Sequence, residues 1–282
     1  MTKHIPVLLR PVIEALGDIR GAHILDATFG AGGYTRAFLE AGASVVAFDR
    51  DPNVVADALA IGEKYGTRFE FVAKPFSEMS QRDDKFDAIV FDLGISSMQI
   101  DNPERGFSFR ADAPLDMRMS ASGPKVTDLF AELTVAELTR ILRDYGDVGP
   151  ASAIAMAIKQ NMPRTTFELK DLIHNPKDIA PVFQALRIAV NDELGELERA
   201  LDSVPDLLVV GGKCLCVTFH SLEDRIVKNT FRDWTTAPGD PRLPQLEPAK
   251  FELLRAVTPS EEEISGNPRA RSAHLRGVKK SY

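Results

Sequence analysis

This sequence lacks a net positive charge and long apolar runs, and it has only two cysteines. The net charge of −7 over 282 residues argues against a protein that is basic over its whole surface. No apolar run approaches the roughly 20 residues that a membrane-spanning helix needs. The composition, 44% hydrophobic and 27% charged, is instead typical of a globular protein. The length suits one large domain, or one domain with a sizeable insertion.

The two cysteines, Cys214 and Cys216, point to the same side of a predicted strand. We predict that both are buried free thiols. A metal site would need more ligands than the single nearby His220, so we assign no metal. The N-terminal segment MTKHIPVLLR lacks the long apolar core and small-residue cleavage site of a signal peptide. The expected location is therefore the cytoplasm, without membrane contact.

Short apolar runs alternate with amphipathic stretches over the first hundred residues. Four runs are typical of strands buried on both faces: AHILDATF, ASVVAFD, RFEFVAK and FDAIVFD. Stretches with helical periodicity separate the first three runs. This alternation predicts an α/β fold with a doubly wound, mostly parallel, Rossmann-like sheet.

The pattern changes between residues 105 and 203, where strand-like runs are absent and helix starts recur. Thr134 with Glu137, and Thr165 with Glu168, match the capping-box spacing. We therefore predict a discontinuous sheet domain at 1–104 and 204–282, interrupted by an all-helical insertion at 105–203.

The last part of the chain returns to strands. Residues 213–219 predict a central strand, and FELLRAV with AHLRGVKK predicts an antiparallel edge pair. Between the central strand and FELLRAV, the segment TTAPGDPRLPQLEP holds four prolines and predicts a loop.

Glycines and an acid follow the first two predicted strands. Ligands of open parallel sheets bind at the carboxyl ends of the strands. Gly30, Gly32 and Gly33 would let the backbone approach a ligand there, beside the amides of the next helix. Asp49 stands 19 residues after Gly30, where an acid hydrogen-bonds ribose hydroxyls. Together these residues favour a bound nucleoside.

Other strand ends narrow the choice of nucleoside. A dinucleotide fingerprint would need a glycine at position 35, where the chain has Thr35, and no Gly-Lys-Ser/Thr follows the glycines. Asp26 adds an acid beside the glycine turn, which suits the cationic amino-acid end of S-adenosylmethionine. Phe76, after the third strand, offers an apolar wall for an adenine. The pattern favours S-adenosylmethionine as the cofactor.

Nine motifs, in order from His4 to Arg276, carry a more specific resemblance. They are HIPVLL, DATFGAGG, FDRDP, DLGISSMQID, RGFSFR, PLDMRM, FQALRIAVNDEL, TFHSLEDRIVK and NPRARSAHLR. With them the chain resembles the bacterial family that methylates N4 of a cytosine in the decoding region of small-subunit (16S) ribosomal RNA. That resemblance implies an S-adenosylmethionine-dependent methyltransferase fold split by a helical insertion.

The resemblance also implies a set of cofactor contacts. Position 34 is tyrosine where the family more often has histidine, and position 98 is methionine where proline is common. Tyr34 can still donate a hydrogen bond, so cofactor binding is expected to survive. The implied contacts are Gly32, Gly33, Tyr34, Asp49, Phe76, Asp92 and Gln99, and Gly30 joins them from the spacing above.

Asp92 is the catalytic candidate. The lone pair of the cytosine N4 amine is delocalised into the ring, which makes it a poor nucleophile. A carboxylate at the end of the fourth strand could accept the N4 hydrogens, draw that lone pair out of conjugation and take up the proton. The alternative is that Asp92 only caps the next turn or binds the cofactor.

Several residues are candidates for contacting the substrate. His220 ends the central strand. Ser221 and Asp224 match the spacing of a capping box, and that structural role would be enough to explain both residues. We expect Arg187, Asn191 and Glu193 to share one helix. In RGFSFR, Phe107 or Phe109 could stack on the base or pack at a domain junction. The candidates taken forward are Arg105, Phe107, Asn191, His220 and Ser221.

The expected partner is small-subunit ribosomal RNA, within an assembled ribosomal particle because the chain as a whole is acidic. The tail NPRARSAHLRGVKKSY is locally basic and could meet phosphates or be a solvated tail. A homodimer is left open. Two rival functions also stay open: a dinucleotide-dependent oxidoreductase, and a non-catalytic RNA-binding assembly factor.

Overall fold

The computed structural model describes residues 6–120, 122–237 and 248–282. Most of the predicted proline-rich loop therefore lies outside the described residues. The helices are α1 Leu9–Leu16, α2 Gly33–Glu40, α3 Val55–Tyr65, α4 Ser97–Asp101, α5 Val126–Glu132, α6 Val135–Gly146, α7 Ala151–Asn161, α8 Thr166–Asp171, α9 Pro176–Asn191, α10 Glu193–Leu207, α11 Ser221–Trp234 and α12 Glu261–Gly266. None of these described helices is both long and apolar enough to cross a membrane.

The strands form one mostly parallel sheet. They are β1 His23–Asp26, β2 Ser44–Phe48, β3 Phe69–Val72, β4 Phe86–Asp92, β5 Leu208–Thr218, β6 Phe251–Leu253 and β7 His274–Lys280. Their order is β3-β2-β1-β4-β5-β7-β6. The first five are parallel to one another, and β7 runs antiparallel to both β5 and β6. The predicted doubly wound α/β fold and its antiparallel edge pair are confirmed.

Burial on both faces explains the apolar strands. In β4, residues 88–91 are all buried, as continuous apolar runs in parallel sheets usually are. Helix α2 packs against β1 and β2, and α11 packs against β5, β6 and β7. The free thiols Cys214 and Cys216 are fully buried in this core, which confirms their prediction.

The chain divides into two compact units. The sheet unit comprises the chain up to Gly94 and from Leu194 onward, and the helical unit comprises Ile95 to Glu193. Each junction lies ten residues earlier than the boundaries expected from the sequence. Chain connectivity explains the shift: the chain enters the helical unit almost directly after β4, while nearly all of α10 packs with the sheet unit.

The helical unit is built on capped helices around its own apolar core. The predicted capping boxes at Thr134 and Thr165 are both present. The prediction that one helix carries Arg187, Asn191 and Glu193 was wrong. Helix α9 ends at Asn191, the next residue adopts φ +50°, and Glu193 begins α10.

Gly106 lies where a side chain has no room. Its φ of +70° is left-handed, and an added Cβ would lie 2.4 Å from the carbonyl oxygen of Pro114 and 2.9 Å from the amide nitrogen of Asp116. We therefore expect Gly106→Ala to lower the free energy of unfolding by about 2 kcal/mol, from backbone strain and overpacking together.

Denaturant unfolding of Gly106→Ala beside Gly149→Ala tests this expectation. Gly149 belongs to the same unit, has no positive φ, and has no atom within 4 Å of an added Cβ. Equal unfolding midpoints for the two variants would contradict the proposed clash.

Candidate functional site

The carboxyl ends of the central strands bring several acids to one edge of the sheet. Asp26 ends β1 and Asp92 ends β4, and these two strands are neighbours where the strand order reverses. Asp92 is paired in turn with Val217 of β5. This edge is the expected ligand-binding position in a doubly wound sheet.

Asp26 is a buried acid held by two threonines. Only 1% of the residue is exposed. Its Oδ2 accepts a hydrogen bond from the Thr35 hydroxyl at 2.6 Å, and its Oδ1 accepts one from the Thr28 amide at 3.2 Å. Burial raises the pKa of Asp26 to about 6, although these hydrogen bonds favour the carboxylate.

Asp92 is linked to Asp26 through Thr28. The amide of Asp92 donates to the Thr28 hydroxyl at 2.6 Å, which fixes the backbone at the end of β4. The Oδ1 of Asp92 is buried and has no hydrogen-bond partner among the described residues, although the residue as a whole is half-buried. A buried oxygen of this kind is costly to leave unpaired, so it is a candidate for contact with a ligand.

The electrostatic surroundings of Asp92 are acidic. Burial raises its pKa well above the usual value, and the nearby carboxylates of Asp26 and Glu223 raise it further. Burial likewise raises the pKa of Asp49 at the end of β2. An edge lined by acids that resist ionisation favours a ligand carrying positive charge.

Glu223 is the buried acid at the start of α11. It is 3% exposed, and its Oε2 accepts a hydrogen bond from the amide of Phe219 at 2.8 Å. His220 is the N-cap of α11 and Glu223 its N3 residue, with the His220 Nδ1 accepting from the Glu223 amide at 3.4 Å. The His220 Nε2 lies 3.1 Å from Glu223 Oε1 without hydrogen-bond geometry.

The expected capping box of Ser221 with Asp224 was therefore wrong by one residue. Ser221 is exposed in the first turn of α11. Asp224 instead forms a bidentate ion pair with Arg276 of β7, at 2.7 and 2.8 Å. The helix starts one residue earlier than expected, because His220 rather than Ser221 is the extended residue that precedes it.

The glycine turn leads directly into α2. Gly32 is its N-cap with φ +72°, and Gly33 is its first residue. An added Cβ at Gly33 would lie 2.3 Å from the Cγ of Pro6, so the N-terminal segment packs closely over the turn. The amide of Gly30 donates to Asp49 Oδ2 at 2.8 Å, which joins the turn to the end of β2.

Tyr34 and Phe76 are both fixed by contacts within the sheet unit. Tyr34 is buried in α2, and its hydroxyl donates to the carbonyl oxygen of Val7. The hydrogen bond expected of Tyr34 is thus made to the N-terminal segment. Phe76 is half-buried and packs edge-on against Phe91 of β4, with ring centroids 5.7 Å apart.

The remaining predicted site residues belong to the helical unit. The Gln99 Oε1 accepts a hydrogen bond from the amide of Ser96 at 2.9 Å, in the capping box of α4. The Asn191 side chain is buried and ties the preceding segment to α9: Oδ1 accepts from the Met119 amide, and Nδ2 donates to the Met117 carbonyl, both at 2.7 Å.

The aromatic candidates of this unit are packing residues in the structure. Phe107 is 8% exposed and belongs to the helical core, with the Arg105 guanidinium 5.7 Å from its ring centroid. Arg105 also donates to the carbonyl oxygen of Arg118 at 2.9 Å. Phe109 packs edge-on against Phe183, with ring centroids 5.2 Å apart. The packing alternative thus accounts for both rings.

Sequence reasoning missed Thr28 and Glu223 as parts of the acidic edge. Thr28 lies in the strand-end segment DATFG, directly before the glycine turn. Glu223 was overlooked because the capping pattern was assigned to its neighbours. A search for acids one helical turn after a strand end would have found it.

The comparisons with known proteins agree over nearly the whole chain. The family model described as the MraW methylase family matches residues 1–281. Ribosomal RNA small subunit methyltransferase H of Chelativorans sp. (strain BNC1) is 46% identical, and the alignment covers 99% of this chain and 87% of the relative. The protein of the same name from Agrobacterium fabrum is 48% identical over 97% of this chain and 86% of its own.

A solved structure of an rRNA methylase from Streptococcus thermophilus is also similar, with a TM-score of 0.47, 13% identity, and coverage of 100% of this chain and 99% of that chain. The family model and the two relatives identified by sequence are the stronger finding. On their strength, the chain belongs to the MraW methylase family.

Proposed function

We propose that the protein transfers a methyl group from S-adenosylmethionine to the exocyclic N4 of a cytosine in the decoding region of small-subunit ribosomal RNA. Membership of a methylase family supports the reaction, and the name of the relatives supports the RNA. Within the chain, the observation that carries the proposal is the buried, unpartnered Oδ1 of Asp92 at the strand-order reversal.

The residues at the sheet edge fit this cofactor. S-adenosylmethionine supplies the transferable methyl group and carries positive charge on its sulfur and its ammonium group. Asp26, Asp92 and Glu223 form an acidic lining whose burial is offset when a cation is close. The proposed cofactor residues are Gly30, Gly32, Gly33, Tyr34, Asp49, Phe76, Asp92 and Gln99.

Asp92 is the proposed catalytic residue. Its carboxylate accepts a hydrogen bond from the N4 amine, which localises the lone pair on nitrogen and stabilises the charge that develops there. The amine gains the methyl group and loses one proton, and Asp92 accepts that proton. The Thr28 hydroxyl holds the Asp92 backbone in place, so much of the catalysis is positioning.

The target base must leave any stack to reach Asp92, and RNA bound in this way is recognised through splayed bases and phosphates. Arg105, Phe107, Asn191, His220 and Ser221 stay predictions as substrate contacts. The helical unit is proposed as part of the RNA-recognition surface, and the assembled particle as the substrate. Such a substrate implies a cytoplasmic enzyme. Gel filtration would decide between a monomer and a homodimer.

Methyl transfer to small subunits tests the proposal most directly. The purified protein is incubated with radiolabelled S-adenosylmethionine and small subunits that lack the modification, and the labelled nucleotide is mapped. We expect one labelled cytosine, with the label at N4. Small subunits that already carry the modification are the matched control and should take up no label.

Other outcomes of this experiment, and a separate comparison of cofactor binding, would favour the rival functions. Binding to small subunits with no incorporation of label would favour a non-catalytic assembly factor. Tighter equilibrium binding of NAD than of S-adenosylmethionine would favour a dinucleotide enzyme. Label on another atom or another base would contradict the assigned target.

A further inference from the structure

The sheet topology brings two basic segments of the acidic chain to one place. Strand β7 is antiparallel to β5, and His274 at its start pairs with Thr218 at the end of β5. The 3₁₀ turn at 268–272, just before β7, therefore lies at the same edge of the sheet as the end of β5. Helix α11 also begins there, three residues after β5 ends.

Helix α11 presents basic side chains on its exposed face. Arg225, Lys228 and Arg232 are separated by three and four residues, so they lie along one side of the helix. All three are exposed. The helix runs away from the end of β5, so Arg225 and Lys228, about 4.5 Å apart along its axis, are the cations of this row nearest that end.

The turn at 268–272 adds Arg269 and Arg271, both of which are exposed. Contacts around Asp224 join the helix to β7, the strand that follows this turn. Asp224 of α11 pairs with Arg276 of β7, and the Thr218 hydroxyl lies 3.3 Å from Asp224 and 3.4 Å from the His274 carbonyl oxygen. We call Arg225, Lys228, Arg269 and Arg271 the basic edge.

Two acids of α11 are paired with cations, while α12, which packs against the turn at 268–272, carries Glu261, Glu262 and Glu263. Both oxygens of Asp224 bond to Arg276, and Asp233 lies 3.2 Å from Arg232. Glu223 is buried and turned to the backbone of Phe219. Not every cation of the tail contributes, since Lys280 donates to the carbonyl oxygens of Pro205 and Leu208.

We propose that the basic edge binds the phosphate backbone of the RNA strand that flanks the target base, an inference that rests on the proposed function. Its position supports this role, because Asp92 ends the strand beside β5, and the start of α11 and the turn at 268–272 both adjoin the end of β5. A chain of net charge −7 needs a local cluster of cations to hold RNA, and phosphate contacts supply affinity without reading sequence.

A pair of triple variants tests the proposal. Arg225→Gln/Lys228→Gln/Arg271→Gln removes three cations from the basic edge. The control, Arg20→Gln/Lys64→Gln/Lys85→Gln, removes three exposed cations from other parts of the same unit. Both variants change the net charge equally, so a general effect of charge on RNA affinity cancels between them.

The measurements are equilibrium binding to a single-stranded RNA carrying the target sequence and to small subunits, at several salt concentrations. We expect the basic-edge variant to bind roughly tenfold more weakly at moderate salt. Its slope of log affinity against log salt should fall by about 2, since each single-strand phosphate contact contributes about 0.7. The control should match the unmodified protein, and cofactor binding should be unchanged in both variants.

Three results would overturn the proposal. The two variants could weaken RNA binding equally, which would leave only net charge as the cause. It is also possible that neither variant weakens RNA binding, which would show that these cations do not contact the RNA. Binding to small subunits could weaken while binding to RNA alone does not, which would assign the surface to a ribosomal protein. Because these are binding measurements, they stand even if the methyl-transfer experiment fails.

Discussion

Replacing Asp92 with asparagine is expected to reduce methyl transfer by about 10²–10⁴-fold, the range typical of a lost proton acceptor or charge-stabilising group. Asparagine has nearly the same shape and keeps the backbone amide that donates to Thr28 at 2.6 Å. It cannot take up the proton that N4 must lose. The fall should therefore appear in kcat rather than in KM for the RNA.

The same substitution should make the protein without cofactor more stable. The Asp92 Oδ1 is buried and unpaired, and burial with the neighbouring carboxylates of Asp26 and Glu223 raises its pKa. Removing an ionisable group from that position relieves the cost of charging it. A higher Tm together with lost activity would separate a catalytic role from simple unfolding.

Thermal unfolding and single-turnover methyl transfer, measured on one preparation, check both parts of this prediction. Asp224→Asn is a useful comparison, because Asp224 lies on α11 but is paired with Arg276. That variant should lose stability and keep its rate on saturating substrate. An Asp92→Asn protein that is folded and methylates at the normal rate would eliminate the proposed role.

Asp26→Asn should change stability in a way that depends on pH. The folded-state pKa of about 6 is higher than the usual 3.8, so ionising Asp26 opposes folding. The stability that this group contributes is full below pH ~4 and is lost as the pH rises through about 6. At pH 8 the variant is expected to be more stable by up to about 3 kcal/mol, the equivalent of two pKa units.

Asparagine can keep both hydrogen bonds that Asp26 makes. Its Oδ1 accepts from the Thr28 amide, and its Nδ2 can donate to the Thr35 hydroxyl after that hydroxyl rotates. The gain at pH 8 should come with weaker binding of the cationic cofactor. Both results together would show that stability is given up at this position for ligand binding, a trade-off common at functional sites.

Urea unfolding from pH 4.5 to pH 8, with isothermal titration of S-adenosylmethionine, measures both effects. Asp202→Asn, which removes an exposed acid from α10, controls for the change in net charge. A stability difference between Asp26→Asn and the unmodified protein that is flat over this pH range would show that Asp26 is not strained by its burial.

Local patterns determined much of this protein. Continuous apolar runs predict strands buried on both faces, and β1 to β5 form where those runs lie. The spacing of Thr134 with Glu137 predicts a helix start. A side-chain oxygen and a backbone amide so near in sequence can form a hydrogen bond without help from the rest of the fold. The family resemblance likewise rests on short motifs.

Only the tertiary structure decided the environments of the functional side chains. Asp26 and Asp92 are 66 positions apart, and the Thr28 hydrogen bonds between them exist only because β1 and β4 become neighbours. The burial that raises their pKa values depends on the same pairing. Phe107 looked available to a base in the sequence, but the helical core buries it. Burial and through-space charge are sums over residues distant in the chain, so no local pattern contains them.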